Sequence, residues 1–220
     1  MSYRVKELFA TLQGEGVHTG RAAVFCRFTG CNLWNGHEEH RATAVCRFCD
    51  TDFVGTDGPG GGTFATAADL ARAAIDRWNE GFGGGGRPYV VCTGGEPLLQ
   101  LDEPLVAAFH DAGLEVAVET NGTRPAPPGL DWVCVSPKAG AEVVLERADE
   151  WKVVVPQEGF AEADLLAIEG RARGAALLAQ PMDDPVPARA AANTRWALDW
   201  CRRHPRWRLG LQTHKYLGIP

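Results

Sequence analysis

The sequence predicts an α/β chain built on a parallel sheet or barrel, and three observations lead there. Short apolar runs of strand length alternate with segments of helical spacing, an order that favours parallel pairing. Several of those runs end in polar or glycine-containing turns, and such folds carry their chemistry at the carboxyl ends of their strands. The size, 220 residues with 45% hydrophobic content, suits one domain with a real core.

Candidate strands are Arg4–Phe9, Ala22–Phe28, Tyr89–Cys92, Glu115–Glu119, Trp132–Val135, Glu150–Val155, Ala176–Gln180 and Arg208–Gln212. Helical spacing covers Ala67–Asn79, Glu103–Ala112, Ala161–Arg173 and Ala188–Arg203, with Thr66 and Asp164 as helix-start residues. Of two glycine-rich stretches, Gly55–Gly62 reads as a flexible loop and Gly81–Gly86 as a tight exit from the helix around Trp78. Neither carries the lysine and hydroxyl residue of a phosphate-binding loop. No repeat and no second domain are visible.

Composition narrows the function. Twenty-two basic against 28 acidic residues give a formal charge of −6, which disfavours nucleic acid as a partner. No apolar run reaches membrane-spanning length, and Met1 to Leu8 does not read as a signal peptide. Seven cysteines, an odd number, argue against a disulfide framework and for a reducing cytoplasm.

Cys31, Cys46 and Cys49 share one stretch with Gly30, Asn32 and Asp50. Three thiolates are one short of a closed site. The residues leave three readings open: a 4Fe–4S cluster with one open iron, a structural zinc site closed by His37 or His40, and no metal at all. Cys26, Cys92, Cys134 and Cys201 lie inside strand or helix patterns and read as small buried hydrophobes.

Polar residues follow four successive strands: Thr93-Gly94-Gly95-Glu96-Pro97, Glu119-Thr120-Asn121-Gly122, Ser136-Pro137-Lys138, and Gln180-Pro181. Paired glycines let a ligand lie on the backbone, and an acid beside them could receive an amino group. Within Ala22–Phe28, alternation turns Arg27 away from Cys26 and Phe28, an orientation that suits an anion inside a barrel and a bidentate clamp on a carboxylate. Gln13, Gly14 and Glu15 suit a flat polar edge, since a carboxylate accepts from adjacent N–H groups. Asp50, Thr51 and Asp52 offer hard oxygens of the kind magnesium takes.

These motifs resemble the radical S-adenosylmethionine superfamily, in which a loop supplies three cysteines to a 4Fe–4S cluster and a Gly-Gly-Glu-Pro segment binds the methionyl amine. The fourteen residues between Cys31 and Cys46 depart from the usual spacing of three, making an extended cluster-binding loop, 31–49. A narrower resemblance spans nearly the whole chain. Phe9-Ala10-Thr11-Leu12-Gln13-Gly14-Glu15-Gly16, Phe28-Thr29-Gly30-Cys31-Asn32-Leu33 and Gln212-Thr213-His214-Lys215 are similar to the 7-carboxy-7-deazaguanine synthase family.

The resemblance implies a single domain over 1–220 with a small, incomplete (β/α) barrel. It implies a lyase of queuosine biosynthesis that contracts 6-carboxy-5,6,7,8-tetrahydropterin with loss of ammonia. Cys31, Cys46 and Cys49 would hold the cluster. Phe48, Gly94, Gly95, Glu96, Glu119, Ser136, Lys138 and Gln180 would meet S-adenosylmethionine. Leu12, Gln13, Gly14, Glu15, Arg27, Thr93, His214 and the carboxylate of Pro220 would surround the pterin, with Glu15, Arg27 and His214 as the catalytic candidates. Thr51 would ligate a magnesium ion at the substrate carboxylate. A flavodoxin- or ferredoxin-like electron donor and a homodimer complete the expectation. Two rivals remain at this level, a glycyl-radical activating enzyme and a zinc-stabilised binding module.

Overall fold

The computed structural model describes residues 2–220. A nine-stranded sheet runs through it in the order β3-β1-β2-β4-β5-β6-β7-β8-β9. The strands are β1 Tyr3–Leu12, β2 Ala22–Phe28, β3 Gly62–Phe64, β4 Tyr89–Gly94, β5 Glu115–Thr120, β6 Trp132–Val135, β7 Glu150–Val155, β8 Ala176–Pro181 and β9 Trp207–Leu209. The helices are α1 Ala67–Phe82, α2 Glu103–Asp111, α3 Glu162–Arg171, α4 Pro187–Arg203 and α5 Thr213–Leu217. From β2 to β9 all pairing is parallel. The two edge strands do not meet, so the barrel is incomplete, as predicted.

The parallel expectation fails at one end. Strand β1 pairs antiparallel with both β2 and β3. Only Gln13–Arg21 joins β1 to β2, a loop too short for a parallel crossover. Strand β3 falls partly within the stretch predicted to be a flexible loop; Gly62 to Phe64 pair with Val5 to Tyr3 along the sheet edge. The last predicted strand also changes: β9 ends at Leu209, and residues from Thr213 form α5.

Alternation decides which side chains form the core. Val24, Cys26 and Phe28 of β2 join Val116 and Val118 of β5 in one apolar cluster with Leu70, Ala74 and Trp78 of α1 and Leu105 and Phe109 of α2. Trp151 and Val153 of β7, Leu177 and Ala179 of β8, and Trp200 of α4 build a second. Complete burial of such side chains stabilises by roughly 1.5–3 kcal/mol each. The opposite parity on the same strands places Arg27, Glu119, Glu150, Lys152 and Gln180 on the concave side. Helix α1 begins at the predicted Thr66, which accepts from Asp69 N at 3.1 Å. Gly83 ends it in the left-handed region at φ 65°. Asp164 lies in the first turn of α3, where it accepts from Ala161 N at 2.7 Å.

Candidate active site

A cavity of about 320 Å³ opens on the concave side at the carboxyl end of the sheet. Its walls include Leu12, Gln13, Gly14, Glu15, Arg27, Thr51, Thr93, His214 and Pro220. These are the eight predicted pterin residues and the predicted magnesium ligand. Five elements distant in sequence converge there: the β1–β2 hairpin, the segment after Cys49, the end of β4, β5 and the chain's final turn.

The floor is a buried ion network. Lys152 Nζ donates to Glu15 Oε2 at 2.6 Å and to Glu119 Oε2 at 2.7 Å. Gln13 Nε2 donates to Glu119 Oε1 at 2.8 Å, Glu15 N donates to Gln13 Oε1 at 3.1 Å, and Gln212 Nε2 donates to Glu15 Oε1 at 2.8 Å. Burial pushes the Glu15 carboxyl up, but Lys152, Gln212 and His214 outweigh it and hold it down at about 2. Burial lowers the Lys152 ammonium, and Glu119 and Glu15 more than offset that, leaving it well above its usual range. Sequence reading missed Lys152 and Gln212. The parity argument that singles out Arg27 applies equally to Lys152 within Glu-Trp-Lys-Val-Val-Val and was the available signal. Glu119, predicted on the cofactor side, is seated in this floor instead.

The walls are less occupied. Arg27 pairs across the hairpin with Glu7, Nε to Oε1 at 2.6 Å. Among the described residues its two terminal nitrogens have no partner, so a bidentate carboxylate can still reach them. The stacked rings of Phe9 and Phe25, with centroids 5.7 Å apart, give one wall a flat apolar surface. Gly14 has no room for a Cβ, which would strike the His214 ring. Gly14 O also accepts from Thr213 N at 2.8 Å, laying the final turn against the hairpin. Thr11 Oγ1 donates to Pro220 O at 3.1 Å. On either side of Thr51, Asp50 pairs with Lys215 at 2.6 Å and Asp52 with Lys6 at 2.9 Å.

The cysteine loop leaves the carboxyl end of β2. Cys31 Sγ accepts from Leu33 N at 3.4 Å. Cys46 and Cys49 act on each other, which raises the Cys46 thiol and lowers that of Cys49, and Cys49 Sγ donates to Thr51 O at 4.0 Å. Lys138 lies near both, 5.9 Å from the Phe48 ring, and donates to Ser136 O at 2.6 Å and Ser136 Oγ at 2.7 Å. His37 and His40 are exposed, and His40 Nδ1 is bonded to Asn35 at 2.7 Å. Among the described residues no three Cys, His, Asp or Glu side chains converge on a single ion. Cys49 lies near both Cys31 and Cys46, and a donor set of three thiols suits a 4Fe–4S cluster better than a closed zinc site. Gln180 also fits a bound cofactor: its Oε1 is buried without a hydrogen-bond partner.

The Gly-Gly-Glu-Pro segment closes the end of β4 on its neighbours. Glu96 is fully buried; Oε1 accepts from Thr120 Oγ1 at 2.7 Å and Leu98 N at 2.9 Å, and Oε2 from Asn121 N at 2.8 Å. Through these three bonds the carboxylate ties the end of β4 to the end of β5. The two glycines let β4 press on the cluster loop: Gly95 N donates to Phe28 O at 3.3 Å and Glu96 N to Gly30 O at 2.9 Å, and a Cβ at Gly94 or Gly95 would strike that backbone.

An incomplete barrel with three thiols in the loop after its second strand defines the class, a radical S-adenosylmethionine enzyme. No protein-family model matches the chain. It is 60% identical to a 7-carboxy-7-deazaguanine synthase from Bordetella pertussis over 228 residues and 55% identical to one from Burkholderia multivorans over 220, covering 100% of each pair of chains. A crystal structure of QueE from Escherichia coli superposes with TM-score 0.69 at 30% identity, over 97% of this chain and 95% of that one. The chain belongs to the 7-carboxy-7-deazaguanine synthase family. Its cofactors are accordingly a 4Fe–4S cluster and S-adenosylmethionine. Among the described residues, no helix is long and apolar enough to cross a membrane.

Proposed function

We propose that the 320 Å³ cavity binds 6-carboxy-5,6,7,8-tetrahydropterin and that the chain, as one domain, contracts it to 7-carboxy-7-deazaguanine with loss of ammonia in queuosine biosynthesis. The convergence of hairpin, final turn and Thr51 segment on one cavity carries this reading. When bound, the cluster and S-adenosylmethionine supply the radical chemistry. The chain's own residues hold, orient and shield.

Cys31, Cys46 and Cys49 hold the cluster. The Gly94–Gly95 backbone, Phe48, Ser136, Lys138 and Gln180 line the cofactor's side, with Gln180 Oε1 offering a free acceptor. Arg27 clamps the pterin carboxylate through the nitrogens that Glu7 leaves free. Glu15, held ionised, accepts N–H groups from the pyrimidine edge. Phe9 and Phe25 flank the ring, while His214 and Pro220 cover it. Thr51 supplies an oxygen to magnesium, its neighbouring aspartates already paired with lysines. Electrons come from a flavodoxin- or ferredoxin-like donor, the working form is a homodimer, and the compartment is the cytoplasm.

Anaerobic turnover tests the reading. Protein reconstituted with iron and sulfide, then given S-adenosylmethionine, magnesium, reductant and the carboxytetrahydropterin, should yield a product lighter by ammonia. Cys49→Ala should abolish it. A brown protein that cleaves S-adenosylmethionine and leaves the pterin intact would remove the substrate assignment. A colourless protein that does neither would return the cysteines to structural zinc.

A further inference from the structure

We infer that Lys152 is a positioning residue that fixes how the pocket reads the 2-amino-4-oxo edge of its ligand, by closing a hydrogen-bonded ring through Glu15, Gln13 and Glu119. The inference rests on the proposed function and adds a determinant of specificity to it.

The ring has four members and each link has one direction. Lys152 donates to Glu15 Oε2 and Glu119 Oε2; Gln13 donates to Glu119 Oε1; and the Glu15 backbone N–H donates to Gln13 Oε1. Ionised carboxylates only accept, so Glu119 can receive nothing but the amide nitrogen of Gln13. That sets the Gln13 oxygen toward Glu15 N. Gln212 fixes the second oxygen of Glu15 from the other side. Both edge-reading side chains therefore present one arrangement of donors and acceptors.

Glu15 then faces the cavity as a pure acceptor. A 2-amino-4-oxopyrimidine edge matches it, because the ring N–H and the exocyclic amine stand side by side as donors. A 2,4-dioxo edge puts an oxygen where the amine was, against a carboxylate. Lys152 is only 3% exposed and is the cation that touches both acids. Around it also lie Glu150 on its own strand, Cys134 on β6, Lys138 in the loop after β6 and His214 on α5. Removing its charge leaves Glu15 and Glu119, which Lys152 holds from one nitrogen, side by side at the cavity floor with no cation between them, an arrangement that favours keeping a proton on one of them. The protonated acid then donates where it should accept, and Gln13 loses the partner that orients it.

The experiment is equilibrium binding of two probes, 6-carboxypterin and its 2-oxo counterpart, to the cluster-loaded protein under anaerobic conditions. Wild type should bind the amino compound and reject the oxo compound. Lys152→Met should lose about tenfold or more in affinity for the amino compound and most of the selectivity. Its remaining affinity should fall from about pH 8 to about pH 6, as the carboxylate pair takes up a proton, while wild type stays flat. Lys152→Met/Glu119→Gln, which leaves Glu15 the only acid of the ring, should regain selectivity and lose the pH dependence. A general packing defect would give neither the pH slope nor the recovery. A folded, brown Lys152→Met with wild-type affinity and selectivity at both pH values would overturn the inference. If Lys152→Met does not fold, Lys152→Gln serves, since it removes the same charge with a polar side chain; wild-type affinity, selectivity and a flat pH response there would be equally fatal. Wild type that fails to bind the amino probe removes the pterin reading and this inference with it, whereas wild-type binding with unaffected variants removes the inference alone.

Discussion

The pocket floor and the cysteine mouth lie at the same end of one sheet and are finished to different degrees. On the floor, protein already partners both oxygens of Glu15 and Glu119 and both amide atoms of Gln13. At the strand ends toward the mouth, Gln180 Oε1 is buried with no donor among the described residues, and Cys31, Cys46 and Cys49 carry free thiols. The floor is fixed in advance by protein partners, which on the proposed reading lets it discriminate a ligand edge. The mouth is built to be completed by what binds it.

That contrast can be broken most severely at the cysteines. Cys49→Ala should abolish turnover and the brown colour while the far-ultraviolet circular dichroism holds, because the sheet's two apolar clusters do not depend on the loop. A coloured, active variant would mean that the mouth has another ligand.

Arg27→Ala should follow in size. Losing a bidentate charge-assisted pair costs about 2–4 kcal/mol of pterin binding, read as a KM raised by well over tenfold with a smaller change in kcat. Equal turnover at low substrate would show that the carboxylate lies elsewhere.

Gln180→Leu and Glu15→Gln set the two regions against each other. Removing an orphaned acceptor should leave stability unchanged or raised by up to about 1 kcal/mol while S-adenosylmethionine affinity falls. Removing charge from the satisfied floor should lower stability by about 1–3 kcal/mol as well as pterin affinity. Denaturant melts together with binding titrations decide it; parallel losses in both variants would erase the distinction.

The smallest effect is in acid. Glu15 is held at about 2 in the fold against 4.5 for an ordinary glutamate, so its pairing contributes fully above pH 4.5 and is lost as pH falls toward 2. Between those limits wild type should lose more unfolding free energy than Glu15→Gln does. Identical slopes would mean that the pairing is not what depresses the carboxyl.

Much of this was legible in the sequence because period-two alternation over apolar runs is a local signal. It delimited β2, β6 and β7 to the residue and put Arg27 on the concave side. Features made by distant partners were not legible. Strand β3 exists through its pairing with β1, and it begins at the last residue of a glycine-rich stretch that reads as loop. Glu96 reads as a free acid until Thr120 and Asn121 fold against it. Lys152 was in plain view on a strand, but its role requires Glu15 and Glu119, 137 and 33 residues away.

The antiparallel hairpin has a consequence for how such enzymes diversify. Gln13, Glu15 and Arg27 all come from β1, β2 or the loop between them, whereas Gly94, Ser136 and Gln180 end or follow parallel strands. On the proposed reading the hairpin forms one side of the pterin cavity and the parallel strands add Thr93 and Glu119 to it, so the two pieces of chain meet along a seam between β2 and β4. An exchanged hairpin could offer a new heterocycle to the same reactive centre, provided its loop still supplies acids for Lys152 to join.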